Sequence, residues 1–294
     1  MLDYINYNNF IDISHFIVNL WEGKNWDFNI LRKNAIVFCH PDNLDILFSN
    51  IKFSSNKYII ITSGSDWPIN AQRFSQKPPC IKKWYAINVT YKHEDLIPIP
   101  YGLHPDRGNA NVLTRDMSWF LINIKRLKSN DKNLKTLYCS WNNITNNMKR
   151  VDVLQKLKNN NIEYKWDYPE IPSNIIQEKI KLFKDFKITK EELVNFAHYY
   201  DYCEHMSTCK FIVSPEGNGK DCHRTWEALY MGSFPIVIKH FMYDEWCDLP
   251  IIQVEDYSKV TYDILYSYLN KEYNYEKIYM KYWKERINSE FNKL

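Results

Sequence analysis

Eight short, almost unbroken apolar runs constrain the fold of this chain more than any other feature. They are AIVFCH (35–40), YIIIT (58–62), WYAIN (84–88), LIPIP (96–100), TLYCS (136–140), FIVSP (211–215), FPIVI (234–238) and PIIQV (250–254). A strand with one wet face alternates apolar and polar residues, because successive side chains point to opposite faces. Continuous apolarity instead marks strands covered on both sides, the habit of parallel sheets. Helical patterns stand between the runs: RDMSWFLINIKRLKSN (115–130), NNMKRVDVLQKLKNN (146–160) and CHRTWEALYMG (222–232). Strands alternating with helices predict an α/β architecture.

The runs fall into two groups. Residues 1–130 form an N-terminal α/β domain in this reading, and 131–273 a second one, introduced by the polar stretch near 128–135. The segment 170–194, with lysines in mixed register, supplies helices and a surface connection, and 200–208 a short helix leading into the strand at Phe211. The remainder, 274–294, reads as an amphipathic helix with Ile278, Trp283 and Ile287 on its apolar face, capping its own domain or crossing back onto the first. No internal repeat is visible.

Bulk properties narrow the function. The 38 basic and 35 acidic residues nearly cancel, giving a formal net charge of +3, which argues against a dedicated nucleic-acid binder. The seven cysteines are odd in number and include no CxxC pair, so neither a disulfide framework nor a zinc site is indicated, and a reducing cytoplasm fits. The opening MLDYINYNNF has neither a basic n-region nor an apolar core, and no apolar run reaches the ~18 residues of a membrane span. The 22 Tyr and 10 Trp either pack or line a groove for a polar ligand. Nothing in the sequence specifies an oligomeric state.

One stretch concentrates chemistry: SPEGNGKDCHRTWEALYMGSFPIVI (214–238). Its strand ends at Ser214-Pro215, where proline keeps the preceding residue extended. Gly217 and Gly219 then allow a close backbone approach. Asp221 is the expected N-cap of the next helix, with His223 and Arg224 in its first turn and Glu227 one turn on. Unpaired N–H groups at a helix start attract anions, and the Arg224 fork suits phosphate oxygens. Glu227 accepts two hydrogen bonds, as a ribose diol requires. Together these describe a clamp for a nucleoside diphosphate. Neither GxGxxG nor GxxxxGK[ST] is present. The plain alternative is a surface Arg224–Glu227 helix pair beside an ordinary turn.

The same stretch resembles the donor-binding motif of exostosin-like and related GT-B glycosyltransferases, in which P-x-G, R-x-x-E-A-L and G-x-x-P-I-V recur in the C-terminal domain. The fuller form with EGNG, DCHR and WEAL resembles small sugar transferases of microbes and large DNA viruses. The resemblance implies a GT-B-like α/β fold, two Rossmann-like domains facing across a cleft. It assigns Arg224 to the donor diphosphate and Glu227 to the ribose, while Gly217 and Gly219 shape the loop and Gly232 and Pro235 turn the chain into the next strand. SWNNITNNMKR (140–150) is similar to a second family segment, with Thr145, Asn146 and Arg150 in matching places and Arg150 as a second cation for the diphosphate. A solvated helix arginine is the alternative for Arg150. WYAINVTYKHEDLIPIPYGLHP (84–105) resembles the segment that closes the N-terminal domain and faces the cleft from the acceptor side. Only the C-terminal motif is sharp. The chain is shorter than full exostosins and shows no stalk or anchor, so a heparan-type role is not implied.

These readings imply transfer of a sugar from a nucleotide-sugar donor, a UDP- or GDP-sugar, to a glycan or glycoconjugate. No tightly bound cofactor is expected. The sequence has no clean Asp-x-Asp pair between strand and helix, so a metal-independent reaction is expected. If the reaction inverts, a base from the facing domain must activate the acceptor. Asp66, in TSGSDWPIN, is the first choice and His40 and His104 the second, with a structural aspartate as the alternative for Asp66. His223 is assigned to the donor sugar or phosphate and Glu216 to the base or sugar, while Asn218 and Asp221 are further sugar contacts. Two other classes stay open: a nucleotide-sugar epimerase or hydrolase, and a non-catalytic carbohydrate- or nucleotide-binding protein.

Overall fold

The computed structural model describes residues 4–19, 26–103, 132–141, 145–166 and 202–294, within which the apolar runs form two separate parallel sheets. The first contains β1 (Phe16–Val18), β2 (Ala35–Cys39), β3 (Tyr58–Thr62), β4 (Ile81–Ala86) and β5 (Leu96–Pro98), side by side in chain order. The second contains β6 (Leu137–Cys139), β7 (Tyr164–Trp166), β8 (Phe211–Val213), β9 (Phe234–Ile238) and β10 (Ile252–Val254), in the order β7-β6-β8-β9-β10. Helices α1 (Tyr7–Asp12), α2 (Leu44–Ile51) and α3 (Ala71–Ser75) accompany the first sheet. After β6 come α4 (Asn147–Arg150), α5 (Val153–Asn159), α6 (His223–Tyr230), α7 (Tyr262–Ser267) and α8 (Met280–Phe291). The result is a two-lobed α/β architecture of two Rossmann-like units, consistent with a GT-B-like fold. The helical patterns read at 115–130 and 170–194, and His104, lie outside the described residues.

Alternate residues of each strand face two different cores, which is why the runs are apolar throughout. In β2 and β3, Ala35, Val37, Cys39, Tyr58 and Ile60 pack with Leu44, Leu47, Phe48 and Ile51 of α2. Their neighbours Ile36, Phe38, Ile59 and Ile61 face the other way, into a core shared with the second lobe through Tyr138, Ile212 and Trp226. The second lobe repeats the pattern, with Leu137, Cys139, Phe211, Val213 and Ile236 in an outer core of its own.

Sequential strand order in the first sheet sends crossovers of one hand to one face. The opposite face is covered from elsewhere in the chain, by Phe10 of α1 and by Trp283 and Ile287 of α8. Tyr230 of α6 ties this junction together: its hydroxyl accepts from the Ile5 N–H at 2.9 Å and donates to the Ile278 carbonyl. Among the described residues, no helix is long and apolar enough to cross a membrane.

Three local expectations are corrected. The run at 84–88 belongs to a strand that begins at Ile81 and ends at Ala86, because Asn88 turns to a left-handed φ of 52° and leaves the ladder. The pattern at 146–160 is two helices rather than one, with Val151 and Asp152 between them. The N-cap of α6 is Cys222, not Asp221, since the Asp221 carboxylate is drawn into a contact between the lobes described below.

Candidate functional site

In the second sheet β6 and β8 are neighbours, but the chain leaves β6 toward β7 and β8 toward β9, on opposite sides. A crevice opens outside the carboxyl ends of strands at such a reversal, and open α/β sheets bind ligands there. Two segments line it: residues 145–150 after β6 and residues 214–222 after β8. Asn146, in a left-handed conformation at φ 51°, donates from Nδ2 to the Gly217 carbonyl at 2.5 Å. Arg150 is 6% exposed and donates from Nε to the Glu216 carbonyl at 2.8 Å. The Gly217 Cα faces this pair so closely that an added methyl would touch Arg150 Nη2 at 3.4 Å and Thr145 Cγ2 at 4.0 Å. Thr145, Asn146, Arg150, Glu216 and Gly217 thus meet at one place. The sequence alternative of a solvated Arg150 does not hold: the side chain is buried and bonded across the crevice.

Charge at this crevice is predominantly positive. Burial lowers the Arg150 pKa, and the Arg224 guanidinium lowers it further. Repulsion between these two like charges is relieved when an anion enters. Glu216 is held by Lys149 and by Lys220, the latter at 2.9 Å. Burial pushes the Glu216 carboxyl up, but hydrogen bonds from these two lysines prevail and hold it below the usual carboxylate range. Glu227, on α6 one turn after Arg224, is 1% exposed and accepts from the Tyr202 hydroxyl at 2.7 Å. Tyr202 opens the helical residues 202–208 that precede β8.

The first lobe presents its own strand-end loops to the same region. Asp66, after β3, accepts from the Tyr101 hydroxyl at 2.9 Å and from Asn218 Nδ2 at 3.1 Å. Asn88, after β4, accepts from the Asp221 N–H at 3.3 Å, and its amide fills the space that a side chain at Gly219 would need. Tyr101 and Gly102, after β5, complete the contact. Asp221 Oδ2 accepts from the Tyr101 N–H at 2.9 Å and the Trp226 indole at 2.6 Å, while Oδ1 accepts from the Cys222 N–H at 2.8 Å. Complete burial raises the Asp221 pKa to about 7, against the pull of these three donors.

His223 Nδ1 lies 2.7 Å from the Gly102 carbonyl. A carbonyl only accepts, so Nδ1 carries the proton there. The His223 ring sits 4.2 Å from that of Tyr101. His40 serves the backbone with both nitrogens, Nε2 toward the Gly64 carbonyl and Nδ1 toward the Asp42 N–H.

The residues singled out from sequence therefore fall into two groups. Thr145, Asn146, Arg150, Glu216 and Gly217 gather in the crevice with Arg224 near Arg150, and Asp66, Asn218, Gly219, Asp221 and His223 lie where the two lobes meet. Lys149, Lys220, Asn88 and Tyr101 escaped sequence reasoning. The two lysines stand inside the quoted motifs, Lys149 in 140–150 and Lys220 in 214–238, whereas Asn88 and Tyr101 gain their roles only from the contact between lobes. Among the described residues, no group of three or more His, Cys, Asp or Glu side chains is arranged to hold a metal ion. No protein-family model and no curated protein matches the sequence.

Proposed function

We propose that this chain is a glycosyltransferase that moves a sugar from a nucleotide-sugar donor, a UDP- or GDP-sugar, to a glycan or glycoconjugate acceptor. The observation that carries the proposal is the buried Arg150 guanidinium seated on the Glu216 carbonyl at the β6/β8 crevice, where Arg224 repels it, with the Asp66 carboxylate accepting from Asn218 of the same loop from the other lobe. In this reading residues 131–273 bind the donor, residues 1–130 form the acceptor side and residues 274–294 cover the first sheet.

Departure of a nucleoside diphosphate builds negative charge on the leaving oxygen, and preorganised cations lower that barrier. Arg150 and Arg224 take this role. Thr145 and Asn146 flank the phosphates, with Gly217 and Gly219 keeping the loop backbone close. Glu227 receives the ribose hydroxyls, and Asn218 and His223 the donor sugar. For an inverting transfer, Asp66 accepts the proton of the attacking hydroxyl. Asp221 is assigned to holding the loop rather than to the sugar, since three N–H groups already point at it. The reaction is proposed to proceed without a metal. The proposal puts the enzyme in the cytoplasm, in keeping with an odd cysteine count and no CxxC pair.

Calorimetric titration with UDP, GDP, CMP and dTDP, each with and without Mg²⁺, tests the proposal against an Arg224→Ala variant. The expected result is selective binding of one nucleoside diphosphate, independent of Mg²⁺ and lost in the variant. Failure of all four to bind would remove the donor site from Ser214–Ile238.

A further inference from the structure

Glu216 combines features that a purely structural carboxylate does not need. Its side chain is 10% exposed and sits between two lysines from opposite sides of the crevice, Lys149 on α4 and Lys220 after β8. Both lysines are much more accessible than the carboxylate they hold, at 50% and 32% exposure. The backbone carbonyl of Glu216 seats Arg150 Nε, and Arg150 is in turn close to Arg224. Lys149 and Lys220 therefore clamp the Glu216 carboxylate at the crevice, while Arg150, close to Arg224, is bonded to the carbonyl of the same residue. Among the described residues, Asp221 is engaged by Tyr101 and Trp226, and Glu227 by Tyr202.

We propose that Glu216 is a built-in counterion standing where the phosphates of an anionic ligand bind, and that Lys149 and Lys220 exchange its carboxylate for phosphate oxygens when that ligand enters. The class of ligand is a diphosphate, and its identification as the diphosphate of a donor rests on the function proposed above. A diphosphate brings more charge and more acceptor oxygens than one carboxylate, so the exchange favours the ligand once it is present. The lysines can follow it, because an ammonium on a four-carbon stem is a mobile point charge. The carboxylate can turn aside by its own side-chain torsions while Arg150 and Asn146 keep hold of the Glu216 and Gly217 carbonyls. Without a ligand, the same carboxylate keeps the cations from repelling one another.

The test is calorimetric titration of the full chain with inorganic pyrophosphate, and in parallel with UDP and GDP, over a range of salt concentrations. Glu216→Gln keeps the backbone carbonyl that seats Arg150 and removes only the charge. It is expected to bind pyrophosphate about tenfold tighter than the wild type, with a steeper salt dependence. Lys149→Gln and Lys220→Gln are each expected to bind about tenfold weaker. Unchanged or weaker binding by a folded Glu216→Gln protein overturns the proposal, as does the absence of pyrophosphate binding in both it and the wild type. If Glu216→Gln does not fold, the lysine variants decide, and wild-type affinity in both overturns it. Pyrophosphate binding that follows the expected pattern while no nucleotide binds would keep the anion site and remove the donor assignment. Nucleotide binding lost in Arg224→Ala but unmoved by Glu216→Gln, Lys149→Gln and Lys220→Gln would do the reverse.

Discussion

Asn218 donates from Nδ2 to Asp66 Oδ2 at 3.1 Å, joining the loop after β8 in one lobe to the loop after β3 in the other. The second Asp66 oxygen accepts from the Tyr101 hydroxyl at 2.9 Å, so the carboxylate is oriented from both sides. As the proposed base, Asp66 acts in the chemical step and not in nucleotide binding. Asp66→Asn is expected to lower kcat by about 10²–10⁴-fold while leaving nucleoside diphosphate affinity unchanged. Turnover at the wild-type rate in this variant would take Asp66 out of the chemistry.

Asp221 makes stability depend on pH. Burial raises its folded pKa from 3.8 to about 7, so between those values the folded chain binds a proton that the unfolded chain releases. The contribution is therefore fully present below about pH 4 and is lost as pH rises toward 7. Melting temperatures of the wild type and Asp221→Asn, compared from pH 4.5 to 8, are expected to show a wild-type advantage that shrinks with rising pH. A difference independent of pH would contradict the raised pKa.

Gly219 has no room for a methyl group because the Asn88 amide lies against it. Gly219→Ala is expected to cost about 1–3 kcal/mol by overpacking. In an Asn88→Gly background, where the left-handed φ is tolerated and the amide is gone, most of that cost should disappear. A double-mutant cycle from urea unfolding measures the coupling, and additive effects would mean that the two residues do not press on one another.

Trp283 is fully buried in the core that both lobes share, with Ile36 and Ile61 of the first sheet and Trp226 of the second lobe in the same cluster. Trp283→Ala is expected to destabilise the chain by about 3–5 kcal/mol. Because the cluster spans both sheets, circular dichroism and fluorescence should report one coincident unfolding transition. Two separated transitions in the wild type would show that the lobes fold independently.

The fold was legible where burial on both faces left a continuous apolar run. Tyr58–Thr62 and Phe234–Ile238 are strands over the residues that their composition marks. Strands β1 and β7 were missed: β1 carries the same FIV triplet as the recognised β8 and was readable, whereas in β7 the exposed Lys165 breaks the apolar run. In the crevice, Gly217 was singled out by its loop motif, whereas Arg150 came from the family resemblance alone, since its bond to the Glu216 carbonyl joins residues far apart in the chain. Asp221 misled for a physical reason: aspartate is a better N-cap than cysteine, but Tyr101 and Trp226 offered it stronger company. Asn88 could not have been found, since an asparagine after a strand acquires a task only when another lobe arrives.

The strand order of the first sheet also has a consequence for synthesis. Every strand of that sheet leaves the ribosome early, yet α8, which covers one of its faces, follows every other named helix and strand. Vectorial folding can complete the α2 side of the sheet while the other face still exposes Ile36, Phe38, Ile59 and Ile61. The nascent chain thus carries a sticky half-built sheet throughout elongation of the second lobe. Chaperone demand and co-translational aggregation should track the time taken to translate the second lobe and α8.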